Sequence, residues 1–111
     1  MKDTIHVLVK EPGKGIEERD IPNTLEALQG LVNGLIEPVP LSGDLVLIVN
    51  EEGLINDMRF NCRIFGYPFF GPIVFASVDG EEFGDCKYSP EQLRKRLFEE
   101  NYDVKGDRAC V

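Results

Sequence analysis

Apolar and polar residues alternate from residue 2 to residue 10. Ile5, Val7 and Val9 fall on one side, Thr4, His6 and Lys10 on the other, and Leu8 breaks the pattern. A period of two predicts a half-buried first strand. Glu11-Pro12-Gly13-Lys14-Gly15 reads as a turn, because Pro fixes φ and Gly admits positive φ. Residues 16–21 then form a polar return strand whose charges suit a sheet edge. The period changes at Asn23, which with Glu26 gives the reciprocal capping pattern of a helix start. Leu25, Leu28, Leu31 and Val32 follow as one apolar stripe, and Gly34 after Asn33 is the expected left-handed stop. Residues 35–41 are extended; Pro38 and Pro40 remove two backbone donors, so this strand belongs at an edge or bends. The run Leu45-Val46-Leu47-Ile48-Val49 is the most apolar in the chain and reads as a central strand covered on both faces.

Residues 50–61 are polar and long for a structureless connection, so they are expected to hold a helical turn or a functional loop. A short strand is expected at 62–65. Residues 66–72 mix aromatics with turn formers, and another strand runs over 73–78 to an Asp79-Gly80 turn. Ser89-Pro90-Glu91-Gln92 is a helix start with a capping Ser and Pro at the first helical position; Tyr88 and Leu93 can staple it. This helix is expected to reach about residue 100. The order predicts one α+β domain over 1–111, its core at about 2–101 and its tail at 103–111 polar. A mixed or antiparallel sheet of five to six strands would carry two helices on one face.

Composition narrows the function classes. With 12 Lys plus Arg against 20 Asp plus Glu, the formal net charge is −8. Direct nucleic-acid binding is not expected, because it depends on neutralising phosphates with basic residues. An anionic membrane surface is disfavoured for the same reason. The opening residues lack the apolar core of a secretory signal. Cys62, Cys86 and Cys110 cannot pair off within one chain and make no Cys-x-x-Cys, so reduced thiols in a cytosolic protein are expected, without a metal site. Gly13-Lys14-Gly15 is a fragment of a phosphate loop without its Ser or Thr, and reads as a hairpin turn.

Several segments carry a likeness: Glu11-Pro12-Gly13-Lys14, Thr24-Leu25-Glu26-Ala27-Leu28-Gln29, residues 34–41 with Val39-Pro40-Leu41, and Asn50-Glu51-Glu52-Gly53. Through them the chain resembles a family of small domains of unknown function found in bacteriophages and in mobile elements of bacteria, particularly Gram-positive ones. The likeness covers roughly residues 2–80. Where that family has a Pro-Asn pair this chain has Phe60-Asn61, so Asn61 matches and the Pro does not. The resemblance implies a phage or mobile-element protein of the bacterial cytoplasm, and by analogy a counter-defence role.

The candidate ligand-binding residues are Asn50, Glu51, Arg59, Asn61, Arg63, Tyr67, Phe69 and Phe70. Asn offers donor and acceptor together, which suits the polar edge of a base or sugar. Glu51 could accept from a ribose hydroxyl, Arg59 or Arg63 could meet phosphate, and the three aromatics could stack on a flat ring. They could equally form a homo-oligomer contact, whereas Phe65 and Phe75 read as core. The competing reading makes Asn50 and Gly53 parts of a solvated turn. No catalytic residue and no cofactor is expected. The leading expectation is a non-enzymatic binding protein that sequesters a small nucleotide-like ligand or engages a host protein. The alternative is an acidic nucleic-acid mimic that inhibits a host DNA-binding or restriction enzyme. A small enzyme, with His6, a cysteine and a carboxylate assembled by the fold, stands third.

Overall fold

The computed structural model describes residues 3–53 and 56–99, the last two as backbone only. The expected tail at 103–111, with Cys110, lies outside the described residues. The described chain runs β1 (Thr4–Lys10), β2 (Ile16–Pro22), α1 (Leu25–Val32), β3 (Ile36–Ser42), β4 (Leu45–Asn50), β5 (Phe60–Ile64), β6 (Tyr67–Phe70), β7 (Ile73–Asp79), β8 (Glu82–Gly84) and α2 (Pro90–Leu93). The helix then continues as a π-helical segment over Arg94–Glu99. The main sheet has six strands in the order β2-β1-β7-β4-β3, with β8 beside the second half of β7. Every described pairing is antiparallel. Strands β5 and β6 form a separate two-stranded ribbon.

Both faces of the sheet are covered. On one face Ile5, Val7, Val9, Val46, Ile48, Val74 and Ala76 pack with Leu28 and Val32 of α1. On the other, Leu8, Leu45, Leu47, Val49, Ile73 and Phe75 pack with Cys62 and Ile64 of the ribbon and with Leu93 and Leu97 of the C-terminal helix. The two helices therefore do not share a face, in contrast to the expectation from sequence. Leu8, the exception to the alternation in β1, is the apolar residue that β1 gives to the ribbon-side core. All six residues of β4 are buried, as a strand with a layer above and below requires.

Local chemistry sets the element ends. Thr24, one residue after Asn23, is the N-cap of α1, and its hydroxyl accepts from the Ala27 N–H at 3.1 Å. Asn33 rather than Gly34 takes the left-handed cap conformation, at φ 63°. Ser89 and Gln92 form the expected reciprocal capping box. This last helix changes from α to π geometry after Leu93 and continues to Glu99, the last described residue, in line with the expected end near residue 100. Two short strands, β6 and β8, stand where the sequence reads as turn-rich or unassigned.

Candidate functional site

The expected ligand loop caps one end of the sheet, where β1 and β4 finish and β3 and β7 begin. Asn50 ends β4 with its side chain on the α1 face. Its Nδ2 donates to the carbonyls of Val32 at 2.9 Å and Asn33 at 3.1 Å, and its Oδ1 accepts from the Glu52 N–H at 2.7 Å. The last carbonyls of a helix have no partner within it, and Asn50 supplies one. A Cβ built on Gly34 would lie 2.6 Å from Asn50 Nδ2, so the chain leaves the helix tightly against this amide.

Asn61 does the equivalent work on the opposite, ribbon face. Its Nδ2 donates to the carbonyls of Lys10 and Gly71, both at 2.8 Å, and its Oδ1 accepts from Lys10 Nζ at 2.9 Å. Asn61 and Lys10 are each only 1% exposed. Lys10, a polar-side residue of an alternating strand, is thus buried because the ribbon lies over that side. Among the described residues Asn61 provides the one hydrogen bond to this ammonium. The two asparagines are separated by the sheet, and their polar atoms are taken by the protein's own backbone and Lys10.

The loop and the aromatic segment do meet. A Cβ on Gly53 would sit 2.9 Å from the Phe70 carbonyl oxygen, and the Gly71 N–H donates to the Arg59 carbonyl at 2.7 Å. The aromatics there face inward. Phe70 packs edge-on against Phe60 with ring centroids 5.7 Å apart, and Phe69 rests on the ribbon-side core. Arg59 is exposed and lies over the β1–β2 turn, with Nη2 3.0 Å from the Cβ position of Gly13. Glu51 and Arg63 are exposed.

Tyr67 is 71% exposed at the far tip of the ribbon. Phe65, read from sequence as core, is there too, 47% exposed. Ile64 pairs with Tyr67 across a two-residue turn, Phe65 at φ 52° and Gly66 at φ 86°. Positive φ at both central positions is the type I′ hairpin turn, which favours Asn-Gly. A bulky residue there is strained by about 1 kcal/mol.

A family profile described as a domain of unknown function, DUF3846, matches residues 4–102. The chain belongs to the DUF3846 family. A search of the curated proteins found no match, and a search of the solved structures found none. No described helix of this DUF3846 domain is long and apolar enough to cross a membrane.

The DUF3846 domain also assembles a group that sequence reading left as separate residues. His6 lies between two carboxylates of the edge strand, with Nδ1 2.8 Å from Asp20 and Nε2 2.8 Å from Glu18. Its backbone N–H donates to Asp85, and its carbonyl accepts from the Cys86 N–H. The fold thus brings His6, two acids and a cysteine to one region, but not as a nucleophile and base. Both imidazole nitrogens face carboxylates, and burial pushes the Cys86 thiol above its ordinary pKa, which keeps it from the reactive thiolate form. The carboxylates sit on opposite edges of the ring, and no three His, Cys, Asp or Glu among the described residues are placed to hold a metal ion.

The hydrogen bond to Asp20, then that to Glu18, raises the His6 pKa. A raised folded value means that the imidazolium adds stability fully below the unfolded value near about 6.5, and that this is lost as pH rises through the higher folded value. Urea midpoints of the native chain should therefore fall more steeply across that window than those of His6→Gln. Equal slopes would show that the bridge carries no stability.

Proposed function

We propose that this DUF3846 domain is a non-enzymatic binding protein of a bacteriophage or related mobile element, and that it acts in the bacterial cytoplasm by engaging a host protein through the tip of the β5–β6 ribbon. The observation that carries the reading is Phe65, held in left-handed backbone and half exposed beside the still more exposed Tyr67. Strain kept at a solvent-facing aromatic brings no core packing in return, and such strain concentrates at sites that bind. Tyr67 is a residue type that dominates protein interfaces. The small nucleotide-like ligand draws less support, because Asn50 and Asn61 are engaged within the chain and Phe69 and Phe70 pack inward. The acidic-mimic reading keeps one favourable observation, the concentration of Glu17, Glu18 and Asp20 on the edge strand β2.

A photoreactive phenylalanine analogue at position 67, expressed in the cell that carries the gene, tests the proposal. One discrete adduct with another protein is expected, competed by the native domain and not by Tyr67→Ser. A ladder without a discrete adduct, or equal competition by both, overturns it; an adduct with a second copy assigns the tip to self-association instead. Phe65→Asn should raise stability by about 1 kcal/mol, because Asn accepts left-handed backbone, while weakening capture. Thermal stabilisation by a nucleotide would return the small ligand to first place.

A further inference from the structure

The two edges of the main sheet are built differently. The β3 edge carries Pro38 and Pro40 and a register shift between Pro40 and Ser42. Prolines and bulges are the usual means of keeping another strand off an edge. The β2 edge has neither, since its seven residues pair with β1 in unbroken register and its only proline is the last residue, Pro22. No described strand pairs with its outer side.

Which groups face outward follows from β1. The backbone of His6 bonds to Asp85 and Cys86, away from β2. In an antiparallel ladder successive residues bond in opposite directions. Leu8 and Lys10 therefore also turn from β2, while Val7 and Val9 bond to their β2 partners Arg19 and Glu17. The alternate residues, Glu18 and Asp20, point their N–H and C=O groups outward. The charge beside these groups has a matching period. Glu18 and Asp20 carry their carboxylates on the ribbon side, where among the described residues they share the single imidazole of His6. On the other side Glu17 and Glu11 share the guanidinium of Arg19, which stays charged at any working pH as an imidazole does not.

We propose that β2 is a docking edge for an extended basic segment of a partner protein, one with Lys or Arg at every second position. The segment adds a strand to the sheet, its main chain bonding to Glu18 and Asp20 and its basic side chains standing opposite their carboxylates. Cross-strand opposite charges favour such a pairing, and like charges oppose it. A second copy of β2 is disfavoured on this ground, so the edge rejects self-pairing and admits the opposite charge. This surface is separate from the ribbon tip and does not rest on the reading above.

A capped peptide as long as β2, alternating lysine and threonine, tests the proposal against one of the same composition with its lysines in a single block. The alternating peptide should bind about tenfold tighter and slow hydrogen exchange at the Glu18 and Asp20 amides. Methylating its backbone nitrogens on the pairing side should abolish both effects, and Tyr67→Ser in the protein should leave both unchanged. Equal binding of the two peptides, binding without protection of those amides, or indifference to methylation would each reduce the edge to a diffuse acidic surface and overturn the proposal. Dimerisation through β2 without peptide would overturn it as well.

Discussion

Asn61→Ala is expected to lower the stability of the domain by about 3 kcal/mol, a large share of the ~5–15 kcal/mol typical of such domains. The reason is the number of buried groups that depend on one amide. Its Nδ2 satisfies the carbonyls that end β1 and precede β7, and its Oδ1 holds the Lys10 ammonium, which is 1% exposed. Truncation removes all three bonds; the Lys10 carbonyl keeps its ladder partner Ile73, and a buried ammonium without a partner is the most expensive loss. Lys10→Met removes that charge while keeping most of the side-chain volume. Lys10→Met combined with Asn61→Ala should thus be more stable than Asn61→Ala alone, by about 1 kcal/mol in a double-mutant cycle of urea unfolding. Asn61→Asp should not rescue: it offers Lys10 an anion but turns an acceptor toward two carbonyls. A fall below about 1 kcal/mol for Asn61→Ala would mean that the clamp is not structural, and Asn61 would regain its standing as a ligand contact.

The burial of Lys10 marks the boundary of what the sequence could tell. Alternation in β1 correctly put Ile5, Val7 and Val9 on one face, because period two is a property of the strand itself. It could not tell that the polar side would also be covered, since that depends on where the distant ribbon lands. The same limit explains the helices. Each shows an apolar stripe, but a stripe says that a face is buried and not which side of the sheet buries it. Capping was legible at Ser89 and Gln92, and within one residue at Thr24, because it is decided by a few neighbouring side chains. Strand β6 was obscured by Pro68 and by Gly66 and Gly71 at its ends. Proline is tolerated there because the ribbon has only two strands, so its missing N–H need not cost a ladder bond.

The intrachain partners of Asn50 and Asn61 were hidden for a related reason: an asparagine near a strand end has the same signature whether it binds a ligand or its own backbone. Phe65 shows the converse. In an aromatic-rich segment it looked like core, and only the positive φ of a two-residue turn places it in solvent. Residue type narrowed the chemistry at each position, but the partners across the fold decided the use.

Asn50 offers the sharpest separation of those two uses, because it can be tested without any partner or ligand. Asn50→Ala removes two bonds to the last carbonyls of α1 and one from the Glu52 N–H, and should lower stability by about 2 kcal/mol. Asn50→Asp is nearly the same shape and should be worse, by roughly 3 kcal/mol at neutral pH. The introduced carboxylate would face two carbonyl oxygens at the negative end of a helix, where cations and not anions are favoured. Burial and those carbonyls would both raise its folded pKa above the unfolded value. For an acid shifted that way the penalty is present above the folded value and relieved as pH falls through it. The deficit of Asn50→Asp relative to Asn50→Ala should therefore shrink on acidification, as read from thermal or urea midpoints. A residue whose duty is to read a ligand would give a different record, with both variants near native stability and no pH-dependent gap between them. That outcome would move Asn50 and the loop that follows it back into a binding site, and with them the case for a small polar ligand.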